Sequence, residues 1–84
     1  MEHNEHIESV ILGLCRKRGP GKTICPSEVA RNLFQSDWRP RMEEVRIEAR
    51  RLANRGDIII TQGPNVLDPA KSFRGPIRLR LAVQ

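Results

Sequence analysis

Apolar residues recur at helical spacing between Asp37 and Gly56. On a helix with 3.6 residues per turn, five of them form one narrow stripe of the kind that faces a protein core. The five are Trp38, Met42, Val45, Ala49 and Leu52. The pattern predicts a helix over about residues 38–54, with Asp37 as its N-cap and Gly56 just beyond its end.

The charged residues of this segment are distributed unevenly around the predicted helix. Arg39, Arg46 and Arg50 lie along one edge of the apolar stripe, where Glu43 is the opposing acid. The other edge carries acids and bases spaced to neutralise one another, namely Glu44, Glu48, Arg51 and Arg55. One flank of the helix is therefore predicted to be net positive, which is typical of a helix that enters the major groove of DNA.

Two shorter amphipathic segments precede this helix. The first runs from about Glu5 to Arg18, with Asn4 as its cap and a Gly-Pro-Gly sequence after its end. Its apolar face comprises Ile7, Val10, Ile11, Leu14 and Cys15. The second begins at Pro26, the favoured first position of a helix, and lasts about nine residues. A short helix followed by a turn and a longer helix is a helix-turn-helix arrangement.

Two strand patterns follow the third helix. Ile58 to Thr61 is a β-branched run, and Ile77, Leu79 and Leu81 alternate with Arg78 and Arg80. The residues between them are rich in turn formers and include Lys71, Phe73 and Arg74. The two strands are predicted to pair across a long basic loop, with Val66 and Leu67 either extending the ladder or packing beneath the loop.

This order of elements predicts an α+β fold of the winged-helix type. It has a three-helix core containing the helix-turn-helix, a small antiparallel sheet and a wing formed by the basic loop. The extended piece Lys22 to Cys25 can join the sheet as a third segment. With 84 residues the chain is predicted to form one domain, residues 1–84, with residues 1–5 frayed.

The composition favours a polyanionic partner. Fifteen Lys and Arg against ten Asp and Glu give a formal charge of +5, although such a charge also serves solubility alone. The chain has no apolar stretch long enough for a membrane span and no secretion-signal pattern at its start, so a cytoplasmic location is predicted. Cys15 and Cys25 lack a metal-binding or redox spacing and are predicted to be reduced thiols.

The candidate catalytic and metal-binding motifs are weak. Gly19 to Thr23 looks like the end of a phosphate-binding P-loop, but the first glycine of that motif would fall at Arg16 and a helix precedes it. Lys22 remains a candidate phosphate contact. His3 and His6 are too few for a zinc site, and no nucleophile has a base at a suitable spacing. We therefore expect no enzymatic activity, no cofactor and no metal.

Four sequence blocks, in this order, resemble a family of short bacterial proteins known as a domain of unknown function with a winged-helix-like fold. The blocks are GPGKTICPSEVAR (Gly19 to Arg31), WRP (Trp38 to Pro40), VR with RLA (Val45, Arg46, Arg51 to Ala53) and RGPIRLRLA (Arg74 to Ala82). The resemblance covers about residues 7–82. It implies the fold and a bacterial, cytoplasmic setting, but it brings no activity and no assigned binding residues.

Two functional hypotheses follow from these patterns. In the first, the protein binds double-stranded DNA through Arg39, Arg46 and Arg50 on the third helix and through Lys71 and Arg74 on the wing, with transcriptional regulation as a candidate role. Lys22 and Arg78 complete the set of candidate nucleic-acid contacts. In the second, the domain docks a protein partner or a second copy of itself through Ile47 and Phe73. RNA is a weaker hypothesis, because aromatic residues make up only 4% of the chain.

Overall fold

The computed structural model describes residues 4–82 and has the α+β element order of a winged helix, as the sequence predicts. Its helices are α1 (Glu5–Arg18), α2 (Pro26–Phe34) and α3 (Met42–Asn54). Its strands are β1 (Ile58–Gln62), β2 (Asn65–Val66) and β3 (Arg78–Leu81), and they form an antiparallel sheet in the order β2-β1-β3. Within residues 4–82, none of the helices has the length and apolar character needed to cross a bilayer.

The ends of α1 and α2 follow the local signals in the sequence. The Asn4 side chain accepts a hydrogen bond from the Ile7 N–H at 3.1 Å, which confirms the predicted cap of α1. Gly19 ends that helix with φ at +106°, a conformation that favours glycine. At the start of α2, the Cys25 N–H donates to the Glu28 carboxylate at 2.7 Å. Residues 1–3 of the segment predicted to fray lie outside the described residues, and Glu5 already belongs to α1.

The sheet contains a second hairpin beyond the pairing predicted from the sequence. β1 pairs with β3 as expected, in a register that places Ile60 opposite Leu79. It also pairs with β2 across a two-residue turn that contains Gly63 at a φ of +58°. Leu67 N–H continues this ladder by donating to Ile60 O at 2.9 Å. The long loop, residues 67–77, therefore connects β2 to β3, and we call it the wing loop.

One core joins the helices to the sheet. Ile24 bridges to Leu79 through two backbone hydrogen bonds of 2.7 and 2.8 Å, which brings the α1–α2 connection to the sheet as predicted. Thirteen apolar residues are buried within the described chain. They are Ile7, Ile11, Cys15, Ile24, Val29, Ala30, Val45, Ala49, Leu52, Ile58, Ile60, Ile77 and Leu79. This core fixes the orientation of α3, so that the face opposite Val45, Ala49 and Leu52 points to solvent.

The third helix starts later than its apolar periodicity predicts. Residues 35–41 form two short 3-10 turns, and α3 begins at Met42 with Arg41 at its N-cap position. Asp37 lies in the first of these turns, so its predicted role as the cap of the third helix is wrong. Pro40 accounts for the difference, because proline lacks an N–H and disfavours the α conformation in the residue before it.

Glu48 occupies a buried position that the sequence pattern placed on a solvated edge. Its side chain is only 2% exposed, and its carboxylate accepts the Asn4 N–H at 3.0 Å. Arg51 lies 3.6 Å from the same carboxylate, which confirms one of the predicted i,i+3 pairs. Glu48 thereby ties the start of α1 to the middle of α3, and the cost of burying its charge is offset by these partners.

Both cysteines are free thiols, as predicted from their spacing. Burial raises the pKa of the Cys15 thiol to about 11. The charge of Arg18 lowers this pKa by a smaller amount, and the charge of Glu28 raises it slightly. Cys15 is therefore a protonated, apolar core residue at neutral pH.

The lowered pKa of the Glu28 carboxyl group predicts that the stability of the protein depends on pH. Desolvation opposes its ionisation, but the hydrogen bonds from the Cys25 N–H and from Arg18 outweigh that effect and hold its pKa below the ordinary value of 4.5. A folded-state pKa below the unfolded value means that the stabilisation is fully present above pH 4.5 and is lost as pH falls through the folded value.

We therefore expect the urea midpoint of the wild type to fall between about pH 5 and about pH 3 more steeply than that of Glu28→Gln. The matched control is Glu5→Gln, an exposed acid in the first turn of α1. Parallel pH profiles for wild type and Glu28→Gln would contradict this role of Glu28.

Candidate nucleic-acid interface

The solvent-facing side of α3 forms one wall of a groove of about 400 Å³. The residues that line it are Glu43, Arg46, Ile47, Arg50, Arg51, Asn54 and, from the wing loop, Phe73. Three guanidinium groups and one carboxylate give this groove a net positive charge. The core places the groove on the outer face of the second helix of the helix-turn-helix, where a major-groove reader presents its side chains.

Phe73 connects the wing loop to α3. Its ring is half-buried against the core cluster and lies beneath two guanidinium groups of the helix. The central carbon of Arg50 is 4.6 Å from the ring centroid and that of Arg46 is 5.7 Å away, both within cation–π range. Arg46 also donates to Gly75 O at 3.3 Å. The two arginines are therefore held beside the wing loop.

Hydrogen bonds between side chains and the backbone shape the wing loop around Phe73. The amide of Gln62 donates from Nε2 to the carbonyl oxygens of Arg74 and of Pro76, the latter at 3.2 Å. Asp68 closes the turn before this point, because its carboxylate accepts the Ala70 N–H at 2.9 Å. These contacts anchor both sides of a long connection, and the exposed Lys71 and Arg74 lie within the anchored segment.

The two acids at the start of α3 have different surroundings. Glu44 receives two hydrogen bonds from the guanidinium of Arg41, at 2.6 and 3.1 Å, and this pairing lowers the pKa of Glu44. Glu44 is therefore neutralised locally. Glu43 is exposed and lines the groove together with Arg46 and Arg50. Electrostatic repulsion of a phosphate backbone by α3 is thus concentrated at Glu43.

A second arginine and aromatic cluster lies where α2 turns into α3. The central carbons of Arg31 and Arg39 are 4.5 and 4.6 Å from the Trp38 ring centroid, and Arg41 lies 4.0 Å from that of Phe34. Trp38 is half-buried and packs against the core, consistent with its predicted place on the apolar stripe. We call Arg31, Trp38 and Arg39 the Trp38 cluster.

The structure separates the predicted contact residues into four places. Arg46 and Arg50 share the groove, and Lys71 and Arg74 are exposed on the adjoining wing loop. Arg39 is not on the helix but on the second 3-10 turn, stacked on Trp38.

The two remaining predicted residues are associated with the α1–α2 connection. Arg78 donates to the hydroxyl of Thr23 at 2.9 Å and to its carbonyl at 3.2 Å, where Arg18 also donates. Its guanidinium thus has a structural role in joining β3 to this connection. Lys22 is exposed next to Thr23. Neither residue lines the groove.

Residues 4–82 contain no group of three or more His, Cys, Asp or Glu side chains placed to hold a metal ion. Of the two histidines considered as ligands, His6 is exposed on α1 and His3 lies outside the described residues.

A comparison with protein-family models matches residues 4–82 to the family described as "Protein of unknown function (DUF3253)". The match covers nearly the whole chain. The protein belongs to the DUF3253 family. A search of curated proteins gives no match. Membership of DUF3253 agrees with the resemblance noted in the sequence. A family of unknown function assigns no activity, so evidence for the function comes from the site.

Sequence reasoning missed two contributors to this surface of the DUF3253 protein. Arg31 was not singled out because it lies on α2, and only the fold brings it onto Trp38. Gln62 ends β1, and its bonds to the wing loop span 12 and 14 residues along the chain. The sequence feature that could have identified Arg31 is its position in the last turn of α2, shortly before Trp38.

Proposed function

We propose that this protein binds double-stranded DNA, with α3 in the major groove and the wing loop against the adjacent backbone. The observation that carries the proposal is the placement of Arg46 and Arg50 on the solvent face of α3, both over the ring of Phe73 from the wing loop. Stacking restricts each guanidinium while leaving edge donors for guanine or phosphate. We propose a binding role and no catalytic one.

The exposed cations of the wing loop support the same orientation. Lys71 and Arg74 flank Phe73 in sequence, so a duplex that reaches Arg46 and Arg50 would also meet these two side chains. A basic helix next to a basic loop is the arrangement through which a winged helix contacts groove and backbone together. The bacterial, cytoplasmic setting implied by the sequence resemblance and a role in transcription are further parts of this proposal.

The experiment that tests the proposal is fluorescence anisotropy of a labelled mixed-sequence duplex titrated with the wild-type protein. Binding through arginines releases counterions, so we expect the affinity to fall steeply between about 50 and about 200 mM salt. A single strand of the same sequence and a duplex RNA serve as competitors. No duplex binding at the lowest salt would contradict the proposal and favour docking of a protein on this face.

The protein-docking hypothesis has less support in the described surface. Ile47 and Phe73, the two residues that suggested an exposed apolar patch, are both half-buried, and arginines surround them in the groove. Among the described residues, the exposed large apolar side chain is Val66, at 63%. A single exposed apolar residue is normal for a monomer.

Removal of the groove's carboxylate gives a further prediction. Glu43→Gln is expected to tighten duplex binding about threefold to tenfold, because one charge about 4 Å from a phosphate in water costs about 1 kcal/mol. The anisotropy titration at low salt measures the change, and Glu5→Gln on α1 is the control with the same change in net charge. Weaker binding by Glu43→Gln would show instead that the carboxylate contacts the duplex favourably.

A further inference from the structure

The Trp38 cluster combines two positive charges with one aromatic face at the turn between α2 and α3. Arg31 comes from the last turn of α2 and Arg39 from the second 3-10 turn. Both guanidinium groups lie within 4.6 Å of the Trp38 ring centroid. Each guanidinium is attracted to the electron-rich face of the indole ring, so Trp38 holds two positive charges at this turn.

Several other arginines of the described chain are occupied by acceptors, although Arg16, Arg50, Arg74 and Arg80 are not. Arg41 is paired with Glu44, and Arg55 is paired with both Asp57 and Glu8. Arg18 is paired with Glu28. Within residues 4–82, by contrast, neither Arg31 nor Arg39 has a carboxylate within 4.0 Å or an acceptor for its N–H groups. The Trp38 cluster therefore holds two guanidiniums in place without neutralising them.

The chemistry of a stacked guanidinium identifies a matching ligand. Stacking uses the face of the guanidinium plane, so its N–H donors remain directed outward along the edge. A phosphate oxygen pair fits that edge with two hydrogen bonds, and restriction by the ring lowers the entropy lost on binding. Two such groups at one turn supply two guanidinium edges for backbone phosphates.

We propose that Arg31 and Arg39, stacked on Trp38, form a second phosphate-binding site that grips the backbone of the duplex next to the groove entered by α3. The site rests on the proposed function, because its ligand is the phosphodiester backbone of the same DNA. It adds contacts from the end of α2 and from the 3-10 turns, neither of which lines the groove of α3. The Trp38 cluster fixes the position of the domain on the duplex and does not read bases.

The intrinsic fluorescence of Trp38 reports on this site directly, because it is the chain's one tryptophan. When unlabelled duplex is titrated into the wild-type protein, we expect a saturable change in Trp38 emission with the same midpoint as the anisotropy of labelled duplex. Inorganic phosphate at the same phosphate concentration is expected to leave the emission unchanged. An equal response to inorganic phosphate would overturn the assignment of the site to a DNA backbone.

Salt dependence of the Arg31→Ala/Arg39→Ala variant tests the contacts themselves. Loss of two phosphate contacts should reduce the slope of log affinity against log salt by about 2, and binding at low salt should weaken about tenfold or more. Arg16→Ala/Lys17→Ala, on the exposed end of α1, removes the same net charge and should keep the wild-type slope. Arg31→Lys/Arg39→Lys, which keeps both charges, should retain a slope close to that of the wild type.

Failure of this site and failure of the proposed function give different results. If labelled duplex shows no anisotropy change with wild type, DNA binding itself fails and the site fails with it. If duplex binds normally while Trp38 emission and the slope of the Arg31→Ala/Arg39→Ala variant stay unchanged, only the second phosphate site is overturned. Circular dichroism establishes that the variants are folded. The wild-type emission titration decides the question even where a variant does not fold.

Discussion

The Arg46→Ala/Arg50→Ala variant is expected to bind a mixed-sequence duplex about 100-fold more weakly than the wild type at low salt. Both side chains line the groove of α3, and each truncation removes a contact worth about 1–3 kcal/mol. Two losses near the lower end of this range, about 1.5 kcal/mol each, amount to about 3 kcal/mol, which corresponds to about a hundredfold change in affinity. Anisotropy titrations of the labelled duplex measure the change.

A control variant is needed to show whether affinity depends on where the two arginines lie or only on the net charge of the protein. Arg16→Ala/Lys17→Ala lowers the formal charge from +5 by the same two units but changes the exposed end of α1. We expect it to bind within about threefold of the wild type, because neither residue lines the groove and salt weakens long-range interactions between exposed charges. If both double variants lost affinity equally, binding would depend on total charge and α3 would not be the contact element.

Leu52→Ala is expected to lower the free energy of unfolding by about 3 kcal/mol. Leu52 is fully buried on the core face of α3, where truncation leaves a cavity among packed neighbours. A loss of this size is a large fraction of the stability of an 84-residue protein. Urea denaturation followed by circular dichroism measures it.

The exposed Val66→Ala on β2 is the matched control and should change the free energy of unfolding by less than about 0.5 kcal/mol. If Leu52→Ala were as mild as Val66→Ala, α3 would not be anchored by this face, and the exposed arginine face inferred from that anchoring would lose its basis.

Those parts of the fold that depend on local sequence signals were predictable. The cap at Asn4, the stop at Gly19 and the start of α2 at Pro26 each depend on residues within one helical turn. The alternation in β3 likewise identifies its buried side through Leu79. The start of α3 was missed, because apolar periodicity continues through Trp38 although Pro40 forces the backbone into 3-10 turns.

Features that depend on contacts distant in sequence were not predictable from one chain. Glu48 has the spacing of a solvated helix edge, but its partner Asn4 is 44 residues away. The sequence suggested that Phe73 was an exposed docking residue, whereas the wing loop brings it beneath Arg46 and Arg50. Arg78 carries a charge suited to phosphate, and only the fold shows that it bonds Thr23. The candidate site therefore needed the structure to separate exposed cations from those with a structural role.

A ¹⁵N–¹H NMR titration of the protein with a short mixed-sequence duplex would show, residue by residue, which surface binds DNA. We expect the largest chemical-shift changes on the solvent side of α3, in the wing loop around Phe73 and at the turn containing Trp38. Amides near the end of α1, around Arg16 and Lys17, should change little, because neither residue lines the groove. Changes centred on α1, or none at duplex concentrations above the protein concentration at low salt, would contradict the claim that α3 and the wing loop bind DNA.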